Sequence, residues 1–344
     1  ALLNPNQVTG NLKAMALNDN TYITGANYVR PAKFEVVDID NTKIKQGSVL
    51  NSNSVVSFAN DADGTDMPVA DFFAGYEFVI PHFRYRHEYY VYSPYGDAEV
   101  MVTTDVSKSY TIARGKMLTI KGGDKNTLSA IIRSDLPVMI SHAAQYYSGY
   151  LADTYTVPPA SKEIFGIFSR LVIIGALEDN TSITIYASDG SEKSIVLNAG
   201  GRYMHSGNGS LLQQGKGSAL RLVADKPIAA IQGADRDGIE ATAFFGIEYF
   251  ARTFGLPINS QYLAVACKQQ AKIDLYDTSG VIVDSQTCTP TITATGLLPG
   301  KAYFGSADNG SNLDAGQYIQ SDQPVYVILE SAETNDEKNL LGLF

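Results

Sequence analysis

The feature that most constrains this chain is an internal repeat, in which Asp-x-Pro is followed by an apolar run. Good copies begin at Ser134, Ala224 and Ser321, and a weaker copy begins at Thr65. Proline fixes φ and lacks an N–H, so it suits the first position of a strand or a sheet edge. An aspartate can accept a hydrogen bond from the backbone two residues on, in an Asx-turn. The signature therefore predicts a tight corner that leads into a buried strand, which is a structural role.

Two further elements recur in the same order before each good copy of the signature. The first is an alternating strand, at 100–104, 183–186 and 273–276. The second is a turn of glycine and a basic residue that leads into another strand, at 115–117, 201–203 and 300–303. The aspartates of the good copies are 90 and 97 residues apart, so the repeating unit has roughly that length.

Local patterns indicate strands almost throughout the chain. Segments 33–37, 182–186 and 272–276 alternate with period two, and turn residues follow each one, as expected for β-hairpins. Segment 239–254 is the one ambiguous piece and is compatible with a short helix. We predict an all-β fold of tandem antiparallel sandwich-like repeat units, with a β-propeller-like array as the alternative. The expected domains are a degenerate N-terminal unit at 1–85 and repeats at 86–165, 166–262 and 263–344.

One stretch of the chain resembles a known family. Segment 175–186 reads GALEDNTSITIY, segment 197–201 reads LNAGG, and segment 223–228 reads VADKPI. This order resembles the N-terminal repeat region of IgGFc-binding proteins, where an EDNT-x-VTI strand, an L-x-A-G turn and an SDKP corner follow one another. The resemblance is best over about 133–235 and partial to 332. It implies an extracellular β-repeat fold, and it carries over neither immunoglobulin binding nor any binding residue.

Charge and motifs narrow the classes of function. The net charge is −10 and the pI is about 4.9, so the chain is a poor partner for nucleic-acid phosphates. No apolar run reaches the roughly 18 residues of a membrane-spanning helix, so we expect no membrane insertion. The sequence contains no G-x-S-x-G, no P-loop and no G-x-G-x-x-G after a strand, so we expect no enzymatic activity.

Two acidic loops have the pattern D-x-D-G-x-[D/E]. Alternate carboxylates around a glycine turn can converge on one point, as Ca²⁺ requires. The alternative is a solvated acidic turn whose carboxylates cap backbone groups. The candidate calcium ligands are Asp61, Asp63 and Asp66 in one loop and Asp235, Asp237 and Glu240 in the other. Apart from calcium we expect no cofactor.

Two aromatic segments are candidate contacts for a partner protein or a glycan, because Arg and Tyr are typical interface anchors. Their candidate residues are Arg84, Tyr85, Arg86, Tyr146, Tyr147 and Tyr150. The alternatives are a strand with an exposed polar face and a loop folded onto its own domain. On one continuous strand, the spacing of His82 and His87 would place their rings on opposite faces, which argues against a metal.

The two cysteines, Cys267 and Cys288, flank a hairpin predicted to turn near Thr278. Counting outward from that turn places Cys288 opposite roughly Gln269, two residues from Cys267 and on the same face. We therefore predict a disulfide, which would indicate an oxidising compartment. The alternative is two buried free thiols.

Together these features favour a non-enzymatic extracellular or cell-surface structural or adhesion protein. It would form a homo-oligomer, array or filament, or bind another surface protein. One alternative is a virion structural protein, such as a tail, fibre or capsid decoration. A second alternative is a glycan-binding or glycan-cleaving β protein. A concave pocket with carboxyl groups about 5–10 Å apart would favour a glycan-cleaving enzyme.

Overall fold

The computed structural model describes residues 12–45, 47–60, 69–82, 87–122, 128–145, 151–168, 171–206, 217–233, 241–305, 313–332 and 337–343. These residues form antiparallel strands and short 3-10 helices at Asn41–Lys43, Asp71–Phe73 and Ile247–Tyr249, with no α-helix among them. Within the same ranges, no helix has the length and apolar character needed to cross a membrane. The predicted all-β fold of sandwich-like antiparallel units is confirmed.

The N-terminal unit (12–60) is a small pair of sheets without the repeat signature. Strand β1 pairs with β3 on one side and β5 on the other, and β2 pairs with β4. Its own apolar core includes Leu12, Ile23 and Leu50. The strands are β1 Leu12–Ala16, β2 Ile23–Thr24, β3 Val36–Asp38, β4 Asn51–Ser52 and β5 Val56–Asn60.

The first repeat unit (75–157) is organised around one long strand. The strands are β6 Gly75–Ile80, β7 His87–Tyr92, β8 Ala98–Thr103, β9 Ser107–Ile112, β10 Met117–Lys121, β11 Ala130–Gln145 and β12 Leu151–Val157. The first half of β11 pairs with β6 and β8, and the second half pairs with β7 and β12. Strand β9 extends the first group beside β8, and β10 extends the second beside β7.

The second repeat unit (161–246) has the same pairing scheme around β18. Its strands are β13 Ser161–Phe168, β14 Leu171–Ala176, β15 Thr181–Ala187, β16 Glu192–Leu197, β17 Arg202–Ser206, β18 Ser218–Gly233, β19 Thr242–Ala243 and β20 Phe245–Gly246. Strands β13 and β15 flank the first half of β18, and β14 and β19 flank the second half.

The third repeat unit (251–339) is built in the same way around β28. Its strands are β21 Ala251–Gly255, β22 Ser260–Cys267, β23 Ala271–Tyr276, β24 Ile282–Cys288, β25 Thr291–Ile292, β26 Leu297–Leu298, β27 Gly300–Gly305, β28 Tyr318–Ser331 and β29 Glu337–Asn339. Strands β21 and β23 flank the first half of β28, and β22 and β29 flank the second.

The opening strands of the repeat units begin at Gly75, Ser161 and Ala251, upstream of the expected boundaries at 86, 166 and 263. Each opening strand pairs with the long strand of its own repeat unit.

The Asp-x-Pro signature lies in the middle of each long strand, where the strand exchanges its first pair of neighbouring strands for a second pair. The pairing of β6 with β11 jumps between Arg133 and Val138, and β13 and β21 show the same kind of shift. A bulge of this kind bends a strand and allows it to contribute to two sheets. The corner that the sequence predicted is therefore the point at which the long strand of each unit bends.

The expected Asx-turn at this corner is wrong. The residue two positions after the aspartate is the proline, which has no N–H to donate. Each carboxylate instead accepts a hydrogen bond from the second residue of the adjacent strand. The pairs are Asp135 with Glu99 N at 2.8 Å, Asp225 with Ser182 N at 2.9 Å and Asp322 with Lys272 N at 2.9 Å.

The units pack against one another along the chain. One buried apolar cluster draws on every repeat unit, through residues such as Val91, Ile173 and Tyr326. The N-terminal unit lies against the third repeat unit, where Phe34 stacks on Tyr318 with ring centroids 3.6 Å apart. The three repeat units therefore share one continuous apolar core.

Candidate functional site

The predicted calcium and contact residues lie outside the described residues. They are Asp61, Asp63, Asp66, Arg84, Tyr85, Arg86, Tyr146, Tyr147, Tyr150, Asp235, Asp237 and Glu240. These assignments therefore stay predictions. Within the described ranges, no group of three or more His, Cys, Asp or Glu side chains is arranged to hold a metal ion.

The structure joins Cys267 to Cys288 by a disulfide, with Cα atoms 6.2 Å apart and both residues fully buried. The pairing of these cysteines differs from the sequence prediction in register. Cys288 lies opposite Ala271, two residues from the predicted Gln269. One of these residues comes from the turn, which is centred on Ser279, and the other from the bulge between Leu275 and Tyr276. Cys267 belongs to β22 and not to the hairpin, so the bond links two strands that are not paired with each other.

Three of the four histidines form a buried cluster at one end of the first repeat unit. The expectation that His82 and His87 point to opposite faces is wrong, because His82 precedes β7 and their ring centroids lie 3.8 Å apart. His87 Nδ1 lies 2.9 Å from His142 Nε2, and His142 Nδ1 lies 2.9 Å from the Tyr155 hydroxyl. Burial and the nearby His82 hold the pKa of His142 well below its ordinary value.

The cluster occupies a position that is polar and buried in the first two repeat units. His142 and Gln232 are each the fifth residue after the corner proline, and they pair with Tyr155 and Thr242 on the strand that follows the long strand. In the third repeat unit the fifth residue is the buried apolar Leu329, and the buried pair of Glu330 with Glu337 lies one residue further along. Sequence reasoning missed the position because its residue types differ between the repeat units.

A groove runs between the N-terminal unit and the first repeat unit, with a cavity volume of about 570 Å³. One wall is the segment 51–54, which contains β4. The opposite wall is formed by Asp71 and Phe72 of the 3-10 helix together with the turn after β7. Buried Met139 and Leu341 close the floor. The volume falls within the range of about 300–1,000 Å³ that is usual for ligand sites.

The lining of this groove combines aromatic rings, neutral polar groups and aliphatic side chains. Tyr95 is 55% exposed and Phe72 is 37% exposed, while Tyr92 is half-buried beside them. The wall at 51–54 reads Asn-Ser-Asn-Ser. Among the described lining residues Asp71 carries the one charge. Sequence reasoning missed the groove because its residues come from segments that are far apart in the chain.

The outer edge strand of the third repeat unit differs from those of the other two repeat units in carrying no lysine. Within the described residues β24 pairs with β23 alone. At the start of this edge Val281, Ile282 and Val283 are 58%, 49% and 51% exposed. The equivalent outer strands β9 and β16 carry exposed Lys108 and Lys193. A lysine on an edge strand is a common guard against pairing with another chain, and β24 has none.

Comparison with known proteins gives no family assignment. No family model matches the chain, and no curated protein matches it. Among solved structures, one described as "Structural insight into host cell surface retention of a 1.5-MDa bacterial ice-binding adhesin" shows 10% sequence identity and a TM-score of 0.13. The alignment covers 72% of this chain and 86% of that one. A similarity at this level supports no argument about fold or function.

Proposed function

We propose that this chain is a non-enzymatic, extracellular structural or adhesion protein that assembles with copies of itself. The observation that carries the proposal is the edge of β24, where Val281, Ile282 and Val283 are exposed. An open strand edge presents unpaired N–H and C=O groups that pair readily with another strand. Exposed β-branched side chains along the same edge add apolar area to such a contact.

Two further observations support an extracellular protein without catalytic activity. The buried disulfide between Cys267 and Cys288 suits an oxidising compartment, as does the resemblance of 133–235 to IgGFc-binding repeat regions. The described lining of the large groove holds a single carboxylate, Asp71, whereas glycan cleavage ordinarily uses a pair.

The proposal is tested by sedimentation velocity over a range of protein concentrations. We expect the wild-type chain to form oligomers and the variant Ile282→Lys to remain monomeric, because the added charge blocks edge pairing. The control is Val106→Lys, which places a lysine at a residue that is 61% exposed in the first repeat unit. A wild-type chain that sediments as a monomer at every concentration would contradict the proposal, as would oligomers unchanged by Ile282→Lys.

A further inference from the structure

We propose that the groove between the N-terminal unit and the first repeat unit binds a neutral oligosaccharide. The inference rests on the proposed function, since it names the kind of surface molecule that an adhesion protein of this fold contacts. The groove and the β24 edge belong to different units, so ligand binding and self-assembly are separable properties.

The groove presents an exposed aromatic surface. The C–H faces of a pyranose ring pack on aromatic rings, and tyrosine suits this role because its hydroxyl stays in water. No hydrogen bond or ring contact joins Tyr95 to another described residue, and its side chain is 55% exposed. The half-buried Tyr92 lines the same groove. Two tyrosines in one groove can contact different sugars of one chain.

The polar side chains of the groove fall into two groups, those that bond to the protein and those that do not. Asn53 Oδ1 accepts a hydrogen bond from Tyr22 N at 2.8 Å, and Ser54 Oγ accepts one from Asn18 Nδ2 at 2.7 Å. These bonds hold the wall in place. In contrast, the side chains of Asn51 and Asp71 make no hydrogen bond with any described residue. Amide and carboxylate groups positioned in this way are suitable partners for sugar hydroxyls.

The charge of the groove lining also selects among ligands. No lysine or arginine is among the described lining residues, and the lone charge is the Asp71 carboxylate. The whole chain also has a net charge of −10. An anionic ligand such as a sulfated or sialylated glycan would therefore be repelled. The lining favours a neutral sugar chain.

The test uses saturation-transfer NMR and calorimetry with the full chain. The probes are the neutral hexasaccharides of maltose, cellulose, chitin and mannan type, a heparin hexasaccharide and an oligoproline peptide. We expect one or more neutral hexasaccharides to bind and the heparin probe to fail. The variant Tyr95→Ala should weaken binding by about tenfold or more, because it removes the exposed ring.

The matched control is Tyr76→Ala, since Tyr76 on β6 is also 55% exposed but does not line the groove. Binding by this variant should equal that of the wild type. The inference is overturned if no neutral hexasaccharide binds, if Tyr95→Ala binds as well as the wild type, or if oligoproline binds in place of sugar.

Sedimentation of the same samples separates the two proposals. Oligomers that bind none of the sugars would contradict the groove assignment alone. A monomer that binds sugar through Tyr95 would contradict self-assembly alone.

Discussion

The carboxylate of Asp225, at the corner of β18, accepts a hydrogen bond from the backbone N–H of Ser182 on β15 at 2.9 Å. The same bond occurs at the corner of β11 and at the corner of β28. In each repeat unit it ties the bend of the long strand to the second residue of the neighbouring strand. The repeated signature thus encodes a bond between strands as well as a bend.

Replacement of Asp225 by alanine should lower the free energy of unfolding by about 1–2 kcal/mol, because the N–H of Ser182 loses its charged acceptor at an exposed site. Asp225→Asn keeps an acceptor oxygen and should cost less than half as much. Denaturant unfolding of both variants measures the difference. Equal losses in the two variants would contradict a role for the bond itself.

A charged contact between the second and third repeat units should make the fold sensitive to acid. Glu163 lies 2.6 Å from Arg221 and 2.7 Å from Lys268. Burial opposes ionisation, but the hydrogen bonds from Lys268 and Arg221 outweigh it and lower the pKa of Glu163 below its ordinary value. A carboxyl whose pKa is lowered on folding stabilises the protein above its unfolded-state pKa, and this contribution is lost as the pH falls through the folded-state pKa.

Glu163→Gln should therefore lower the unfolding free energy at pH 7, by about 1 kcal/mol for this partly exposed contact. The difference in unfolding free energy between wild type and variant should narrow as the pH falls below 4.5, the ordinary pKa of a glutamate. The control Glu178→Gln changes an exposed glutamate whose side chain contacts no described partner. A gap that stays constant from pH 7 to pH 3 would argue against the ion pair.

The buried histidine cluster predicts a second pH effect, at milder acidity. The pKa of His142 is held well below 6.5 in the folded chain, so the unfolded chain takes up the proton first. Stability should therefore fall as the pH drops below 6.5. His142→Gln introduces the residue type that Gln232 supplies at the equivalent position. Between pH 6.5 and 5, this variant should lose less unfolding free energy than the wild type. Equal losses in the two proteins would contradict the role of His142 in this pH effect.

The disulfide should contribute about 3 kcal/mol to stability, since it closes a loop with a sequence separation of 21 residues. Cys267→Ala combined with Cys288→Ala should lower the melting temperature, and reduction of the wild type should do the same. Intact mass after thiol alkylation of the unfolded, unreduced protein checks the bond. Two alkylated cysteines in that experiment would show that it is absent.

The sequence predicted those parts of the structure that depend on local patterns. Alternation and turn residues predicted the all-β class, and the three good Asp-x-Pro copies lie at corresponding corners. The partner of each corner aspartate was not predictable, because the N–H of Ser182 comes from a strand 43 residues away from Asp225. Likewise, the bulge between Leu275 and Tyr276 shifts the register by one residue, and nothing local marks it.

The candidate binding surfaces were harder to predict than the fold. The groove joins Asn51, Asp71 and Tyr95, which come close only because the N-terminal unit packs on the first repeat unit. The β24 edge differs from β9 and β16 in lacking a lysine, and the equivalence of these three strands follows from strand pairing that no local motif marks.

The central claim is that this chain assembles through the exposed edge of β24. Negative-stain electron microscopy of the wild type and of Ile282→Lys at equal concentration tests it most directly. We expect ordered oligomers, arrays or filaments of the wild type and dispersed single particles of the variant, with circular dichroism showing the same β content in both. Dispersed single particles in both samples, or identical assemblies in both, would contradict the claim.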